Sequence, residues 1–349
     1  MRAAVVPISR RQLNRKSELL ARISLTICTG DYDRVRALAD GRVGIEGCEV
    51  NYLTMNPEQA FYRAWNNQEF DVTELSGSSY ILARDGGWDD YIAVPVFPSR
   101  MFRHSGIYIR KDSGIKIPED LKGRQVGVPV YAMTAALWIR GMLQEDYGVA
   151  PSDIQWRTGG LEQGGRKPKF SANLSGEIQV EAIRDDQTLS MMLANGEVPA
   201  LVSAREPSCF VPDNPEIVRL FPDFRTIEKN WFGRTNLFPI MHFLAIRQTL
   251  AEREPWLATS VLKAFTLAKN ICLEEMSDVT ALSVSLPWVA AELEGTRALM
   301  GKDIWPYGFA DNLAELKTMC RWSKAQGIAA RELTPEELFH PATLDRARI

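Results

Sequence analysis

The chain has 349 residues and a formal net charge of −3, which excludes a general nucleic-acid binder. With 45% hydrophobic and 24% charged residues it is an ordinary globular chain, yet longer than the about 250–300 residues one core usually supports, so a two-lobed unit or two domains are expected. Five scattered cysteines with no C-x-x-C spacing and three histidines, His104, His242 and His340, exclude a disulfide framework, a zinc knuckle and a His-rich metal centre.

In residues 1–21 a short apolar patch, Ala3 to Ile8, precedes Arg10, Arg11, Arg15 and Lys16. A secretory signal has the reverse order, charge first and then about 7–15 apolar residues. No run reaches the about 18 apolar residues of a membrane span. A flexible tail on a cytoplasmic protein without a membrane partner is expected.

From there strand and helix signals alternate. Ile23, Leu25 and Ile27 alternate with polar or small residues, a strand pattern. Gly30 to Asp33 turns the chain into a short helix ending near Asp40, and Gly47 to Leu53 is a second strand. Asn56-Pro57 supplies a cap and a first-turn proline for a helix to about Asn67. Phe70 to Leu75 is strand, Ser76 to Ser79 a turn, and Tyr80 to Arg84 helix. Tyr91 to Val96 and Gly106 to Arg110 are strands on either side of a cationic loop. After a polar connector, Arg124 to Val128 is strand. The next helix places Ala136, Ile139, Leu143 and Tyr147 on one face and ends at Gly148. Ile154 to Trp156 is strand, and Gly159 to Lys169 is a glycine-rich basic loop that fits a mobile lid but no nucleotide-binding fingerprint. Gln187 to Asn195 is helix, and Val198 to Val202 and Phe238 to Ile246 are strands. Helices follow at about 255–276, 287–300 and 312–326.

This order predicts an α/β chain with two lobes, each a mostly parallel sheet flanked by helices, and a helical C-terminal region. Residues 22–110 plus 239–349 form lobe 1 and 111–238 lobe 2. Two strand-like hinge crossings lie near 106–111 and 239–246. The layout is that of a type II periplasmic-binding-protein-like fold, with the ligand between the lobes.

Ligands of open α/β sheets bind beyond the carboxyl ends of strands. The loops there carry Asp31, Glu74, Ser78, Ser79, Ser99, Arg100, Arg103, His104, Tyr131, Thr134, Arg205 and Ser208. Ser99 to Ser105 packs two arginines, a histidine and two hydroxyls into seven positions, with no acid from Tyr91 to Lys111. Arginine offers a planar fork for carboxylates, and histidine exchanges a proton near neutral pH. Arg205 either clamps a carboxylate or pairs with Glu206. His242, in an apolar strand, is either a core residue or a hinge-side proton carrier. Ser78, Ser79 and Thr134 either cap helices or hold an anion there.

Several stretches resemble the 4,5-dihydroxyphthalate decarboxylase family: Gly30-Asp31-Tyr32-Asp33, Phe70 to Ser76 with Ser78-Ser79-Tyr80, and Pro95 to Ser105. Val126 to Pro129, Met133-Thr134-Ala135, Thr158 to Glu162, Ser203-Ala204-Arg205 with Pro207-Ser208, Phe238 to His242 and Trp305 to Gly308 continue it in order, across roughly residues 22–345. The resemblance implies loss of one carboxyl from 4,5-dihydroxyphthalate, giving protocatechuate and carbon dioxide. That chemistry needs a clamp for the retained carboxylate, an acid at the reacting carbon and a group that orients the phenol. Arg100 or Arg103 with Arg205 are expected as clamps, His104, His242 and Glu74 as catalytic groups, and the remaining loop residues as substrate contacts. The ring itself holds the charge, so no cofactor is expected. No metal is expected either, the spacing of Asp31, Glu74 and His104 not being diagnostic. The partner is a small aromatic carboxylate; a homo-oligomer is compatible with the sequence. The rival readings are a non-catalytic receptor for aromatic carboxylates and a lyase of the same fold acting on another substrate.

Overall fold

A computed structural model describes residues 22–165, 172, 174 and 176–345. The expected tail at 1–21 and the basic end of the glycine-rich loop, Arg166 to Lys169, lie outside the described residues.

The first sheet has strand order β2-β1-β3-β11-β4. Its strands are β1 Ile23–Thr29, β2 Cys48–Thr54, β3 Val72–Ser76, β4 Tyr91–Arg100 and β11 Ile240–Arg247. β1 runs parallel to β2 and β3, and β11 is antiparallel to both β3 and β4. Helix α1, Pro57–Asn67, links β2 to β3; the Asn56 side chain caps it by accepting the Glu58 N–H at 3.0 Å. Helix α2 is Gly77–Asp85, starting three residues earlier than the sequence suggests, with Ser76 at its cap position. The expected turn over Ser76–Ser79 is therefore its first turn.

The second sheet has order β10-β5-β9-β6-β7-β8. It comprises β5 Ile107–Arg110, β6 Gln125–Val128, β7 Gln155–Thr158, β8 Val180–Ala182, β9 Ala200–Val202 and β10 Ile217–Arg219. β6 is parallel to β7 and β9, whereas β5 is antiparallel to β9 and β10. Helix α3, Thr134–Tyr147, follows β6 and ends on Gly148 at φ +64°, a backbone conformation suited to glycine. Helices α4, Leu189–Asn195, and α5, Phe224–Thr235, complete this half. The three-residue strands β8 and β10 are too short to show alternation, and the sequence reading missed both.

Two expectations about the crossings need correction. Residues 107–110 belong to the second sheet, so the first crossing is the preceding loop, Met101–Gly106. Residues 240–247 lie inside the first sheet, between β3 and β4. Both runs are apolar, and an apolar strand satisfies its backbone only by pairing on both sides.

Helices α6 Gln248–Arg253, α7 Leu257–Ser277, α8 Val289–Met300 and α9 Leu313–Ala325 form the C-terminal region. None of the helices among the described residues is long and apolar enough to cross a membrane. This region, assigned to lobe 1 from the sequence, also grips the second half. Trp322 on α9 meets Trp138 on α3 edge to face, with centroids 5.2 Å apart. The buried Arg140 donates to Gln326 Oε1 at 2.8 Å, and Gln326 donates to the Leu137 carbonyl at 3.0 Å. Gly141 lets the two helices close up, since a Cβ there would stand 2.1 Å from the Trp322 ring. Gly141→Ala should thus cost about 1–3 kcal/mol of stability through overpacking, read as a lower chemical-denaturation midpoint; an unchanged midpoint refutes the tight seam.

Candidate active site

The centre of the site is built by strand register. His242 on β11 lies opposite Ser76 on β3, two residues beyond Glu74. Side chains two apart on a strand share a face, so Glu74, Ser76 and His242 project together at the carboxyl edge of the first sheet. Glu74 is 0% exposed. Its Oε1 accepts the Gly30 N–H at 2.5 Å, and its Oε2 accepts the Tyr32 hydroxyl at 3.0 Å and stands 2.8 Å from His242 Nδ1. A buried carboxylate needs such donors. It also fixes the imidazole, since a proton on Nδ1 leaves Nε2 for chemistry. Phe61 on α1 packs edge-on against the ring at 4.9 Å. Ser99 pairs across the strands with His242. Burial, and then the adjacent Glu74 charge, pushes the Tyr32 phenol well above its ordinary value.

The second half meets this edge through Thr134. Its hydroxyl accepts the Ser78 N–H at 3.0 Å and bonds the Ser76 hydroxyl at 2.9 Å. The first turns of α2 and α3 therefore face each other. Ser79 is half-buried on the same turn. Beside Thr134, Met133 lines a cavity of about 840 Å³ whose walls come from both halves: Glu58 and Tyr62 on α1, Leu161 in the glycine-rich loop, and Ser203 to Arg205 after β9. Arg205 crosses its mouth, donating to Asn56 Oδ1 at 3.2 Å and lying 3.4 Å from Glu58. The expected alternative pairing with Glu206 is not formed, because Glu206 binds Arg219.

Arg103 bridges the halves on the cleft side. Its Nε donates to Met241 Sδ at 3.2 Å and its NH1 to the carbonyl of Ala204, a cavity-lining residue, at 3.3 Å. Among the described residues no carboxylate lies within ion-pair distance of this guanidinium. Burial pulls it down to about 10, against which the charge of Glu228 acts. A partly buried cation with no carboxylate in ion-pair contact is costly and suited to an anionic guest.

Other expected residues stand elsewhere. Arg100 is not a clamp: it points into the core, donates to the carbonyls of Phe238 and Pro306, and pairs with Glu315 at 3.1 Å. His104 is 2% exposed between Phe221 and Trp231, and both ring nitrogens lack hydrogen-bond partners. Tyr131 donates to the Gln326 carbonyl at 3.1 Å, beneath the Arg140 guanidinium. Ser208 gives its N–H and hydroxyl to Glu162 at 2.8 and 2.5 Å. That bond pins the glycine-rich loop, as do the Leu189 and Ser190 amides on the Gly160 and Leu161 carbonyls. Residues Gly160 to Glu162 of the expected lid are thus tied to α4 and to Ser208 at the cavity wall. Asp31 is exposed, and its neighbour Tyr32 turns inward instead.

Comparison with known proteins bears on this arrangement. A curated 4,5-dihydroxyphthalate decarboxylase of Comamonas testosteroni is 43% identical over 330 residues, covering 95% of this chain and 100% of that protein. This chain belongs to the 4,5-dihydroxyphthalate decarboxylase family. A second decarboxylase of that name, from Pseudomonas putida, is 42% identical over 218 residues, 62% of this chain and 84% of the other. Residues 39–200 match the family described as an ABC transporter, phosphonate, periplasmic substrate-binding protein. The fold is similar to the periplasmic aliphatic sulphonate binding protein SsuA of Escherichia coli, with TM-score 0.52, 15% identity and coverage of 92% and 99% of the two chains. It is also similar to the ligand-binding component of an ABC-type import system from Staphylococcus aureus, with TM-score 0.51, 10% identity and coverage of 93% and 99%. The type II periplasmic-binding-protein-like architecture holds for this family member.

Two residues of the site were not singled out from the sequence: Tyr32 and Phe61. Tyr32 stood within the family stretch but beside an acid that drew attention away from it. Ser76, like Ser78 and Ser79, is expected either to cap a helix or to hold an anion, and Phe61 gave no signal beyond the apolar face of its helix.

The position of His104 makes a stability prediction. Burial lowers its imidazole to about 4, whereas the unfolded value is about 6.5. Its stabilising share is whole above pH 6.5 and is lost as pH falls toward 4. Glu228, raised by burial to about 7, acts with opposite sign as pH rises from about 4.5 to 7. Glu228 Oε1 stands 3.9 Å from His104 Nδ1, beyond hydrogen-bond reach, and stays in His104→Leu, so its own titration largely cancels in the comparison. That variant should be about 1–3 kcal/mol more stable for losing unsatisfied polar atoms, with a larger gain at pH 5 than at pH 7.5. A variant less stable than the parent at pH 5 contradicts this environment.

Proposed function

We propose that this chain is a carboxy-lyase that converts 4,5-dihydroxyphthalate into protocatechuate and carbon dioxide in the cleft between its lobes. The family relationship supports the reaction class. The observation that carries the assignment of residues is the buried Glu74 carboxylate holding His242 by Nδ1, in a cleft that also offers a guanidinium without a carboxylate partner.

Each carboxyl of the substrate is para to one hydroxyl. That hydroxyl pushes electrons to the carbon bearing the departing carboxylate. The imidazolium Nε2–H of His242 protonates this carbon, with a ring electron pair forming the new C–H bond. The C–C bond to the carboxylate then breaks, its electrons restore aromaticity, and carbon dioxide leaves. One proton is consumed, and solvent returns it to the imidazole. Glu74 stabilises the imidazolium before transfer. Arg103 holds the carboxylate that stays, and Ser76, Ser99 and the facing turns at Ser78, Ser79 and Thr134 orient the ring. Arg205 closes the mouth rather than clamping the guest. The described cysteines are all free, which supports the expected cytoplasmic, reducing location.

His242→Gln should lower kcat about 10²–10⁴-fold, the usual range for a general acid, with a small change in KM. Arg103→Met should raise KM about 10–100-fold, the worth of one charge-assisted bond. Carbon dioxide release from 4,5-dihydroxyphthalate, followed by mass spectrometry, checks both. Tight binding without carbon dioxide release would show the receptor reading instead, and equal rates for parent and His242→Gln would remove the imidazole from the mechanism.

A further inference from the structure

Glu74 serves two partners through one oxygen. Oε2 accepts from the Tyr32 hydroxyl at 3.0 Å and faces His242 Nδ1 at 2.8 Å. Tyr32 reaches it by folding back over Gly30, where an added Cβ would meet the phenol ring and hydroxyl at 2.7–2.9 Å. The ring is held from outside as well. The Arg34 guanidinium lies 4.5 Å from its centroid and 4.0 Å from that of Trp305, and donates to the Pro98 carbonyl at 2.7 Å. This placement is specific, and the reaction as written gives the phenol no bond to make or break.

We infer that Tyr32 is a positioning residue that sets the proton affinity of the Glu74–His242 pair through its hydrogen bond to Glu74 Oε2. This rests on the reading of that pair as the proton carrier. A donor on Oε2 draws charge from the carboxylate and so weakens its hold on the imidazolium. The Tyr32 oxygen also lies 3.4 Å from His242 Nδ1, a contact that favours the imidazolium but is longer and weaker than the bond to Glu74. The bond to the carboxylate therefore decides the sign. The two groups share one short hydrogen bond, so removing the phenol should raise the proton affinity of the pair whichever of them holds the proton.

The other ionisable groups facing the pair are few. From β1 Cys28 feels the Glu74 charge, and from β2 Tyr52 does so while bonded to Thr29 at 2.8 Å. Arg34, paired with Asp33, lies beyond the Tyr32 ring. α1 contributes the uncharged Phe61, and β4 contributes Ser99. Tyr32→Phe changes none of these.

The test is an NMR titration of the imidazole protons in the full-length protein without substrate. Only three histidines exist, and the His242 signal is assigned by its loss in His242→Gln. Tyr32→Phe should raise the His242 midpoint by about one pH unit, the lower end of what one hydrogen bond to a charged group is worth. Gly30→Ala keeps the phenol but pushes it off Glu74, and should shift the midpoint in the same direction. Glu74→Gln should lower it. The alkaline limb of kcat/KM with 4,5-dihydroxyphthalate should move with these midpoints. Native positions of the His104 and His340 signals show that each variant is folded. An unmoved or lowered midpoint in folded Tyr32→Phe overturns the inference, as does a Gly30→Ala shift opposite to that of Tyr32→Phe. Absence of decarboxylation by the parent enzyme would overturn the functional reading alone, because the titration uses no substrate.

Discussion

A single buried carboxylate organises the first lobe's end of the cleft. Glu74 has no solvent to share its charge, so its oxygens must be met by protein donors or the charge must be given up. The donors come from three places: the Gly30 amide after β1, the Tyr32 hydroxyl in the following turn, and the imidazole on β11. Meeting them requires β11 to return antiparallel beside β3 with His242 two residues past Glu74. The middle of the first sheet, the turn after β1 and the placing of His242 thus answer one electrostatic requirement.

The cationic loop after β4 shows how tertiary packing separates like residues. Arg100 and Arg103 are three positions apart, in a stretch that reads as uniformly basic and exposed. Arg100 is the last residue of β4, and its guanidinium turns into the core among two carbonyls and Glu315. That set satisfies the charge internally and leaves nothing for a ligand. Arg103 lies in the crossing between sheets, where its partners are a thioether and one carbonyl. His104, next in line, is carried to the opposite side of the crossing and enclosed by Phe221 and Trp231. Loop composition suggested a shared receptor; the change of sheet within that loop sends the three side chains to different surroundings.

The two halves are less independent than a hinge drawing implies. Thr134 caps the helix of the opposite lobe, Arg205 binds the cap residue of α1, and α9 packs against α3 while following the first lobe in sequence. Relative motion of the lobes must break these polar contacts and slide that helical seam.

Much of the architecture was legible in the chain itself. Alternating strand and helix signals gave an α/β chain, the caps at Asn56 and Gly148 marked helix ends, and the order of elements implied two sheets with returning strands. The loops beyond the strand ends contained Glu74, Ser99, Arg103, Thr134 and Arg205, and His242 stood in the returning strand. What the chain alone left open was which of His104 and His242 is enclosed in the core and which meets Glu74, and which arginine lacks a carboxylate partner. Those choices depend on strand register and on which sheet each apolar strand joins, and both are fixed by pairing between residues far apart in sequence. A local pattern tells a residue which face of its strand it occupies; only the completed sheet tells it what lies across from that face.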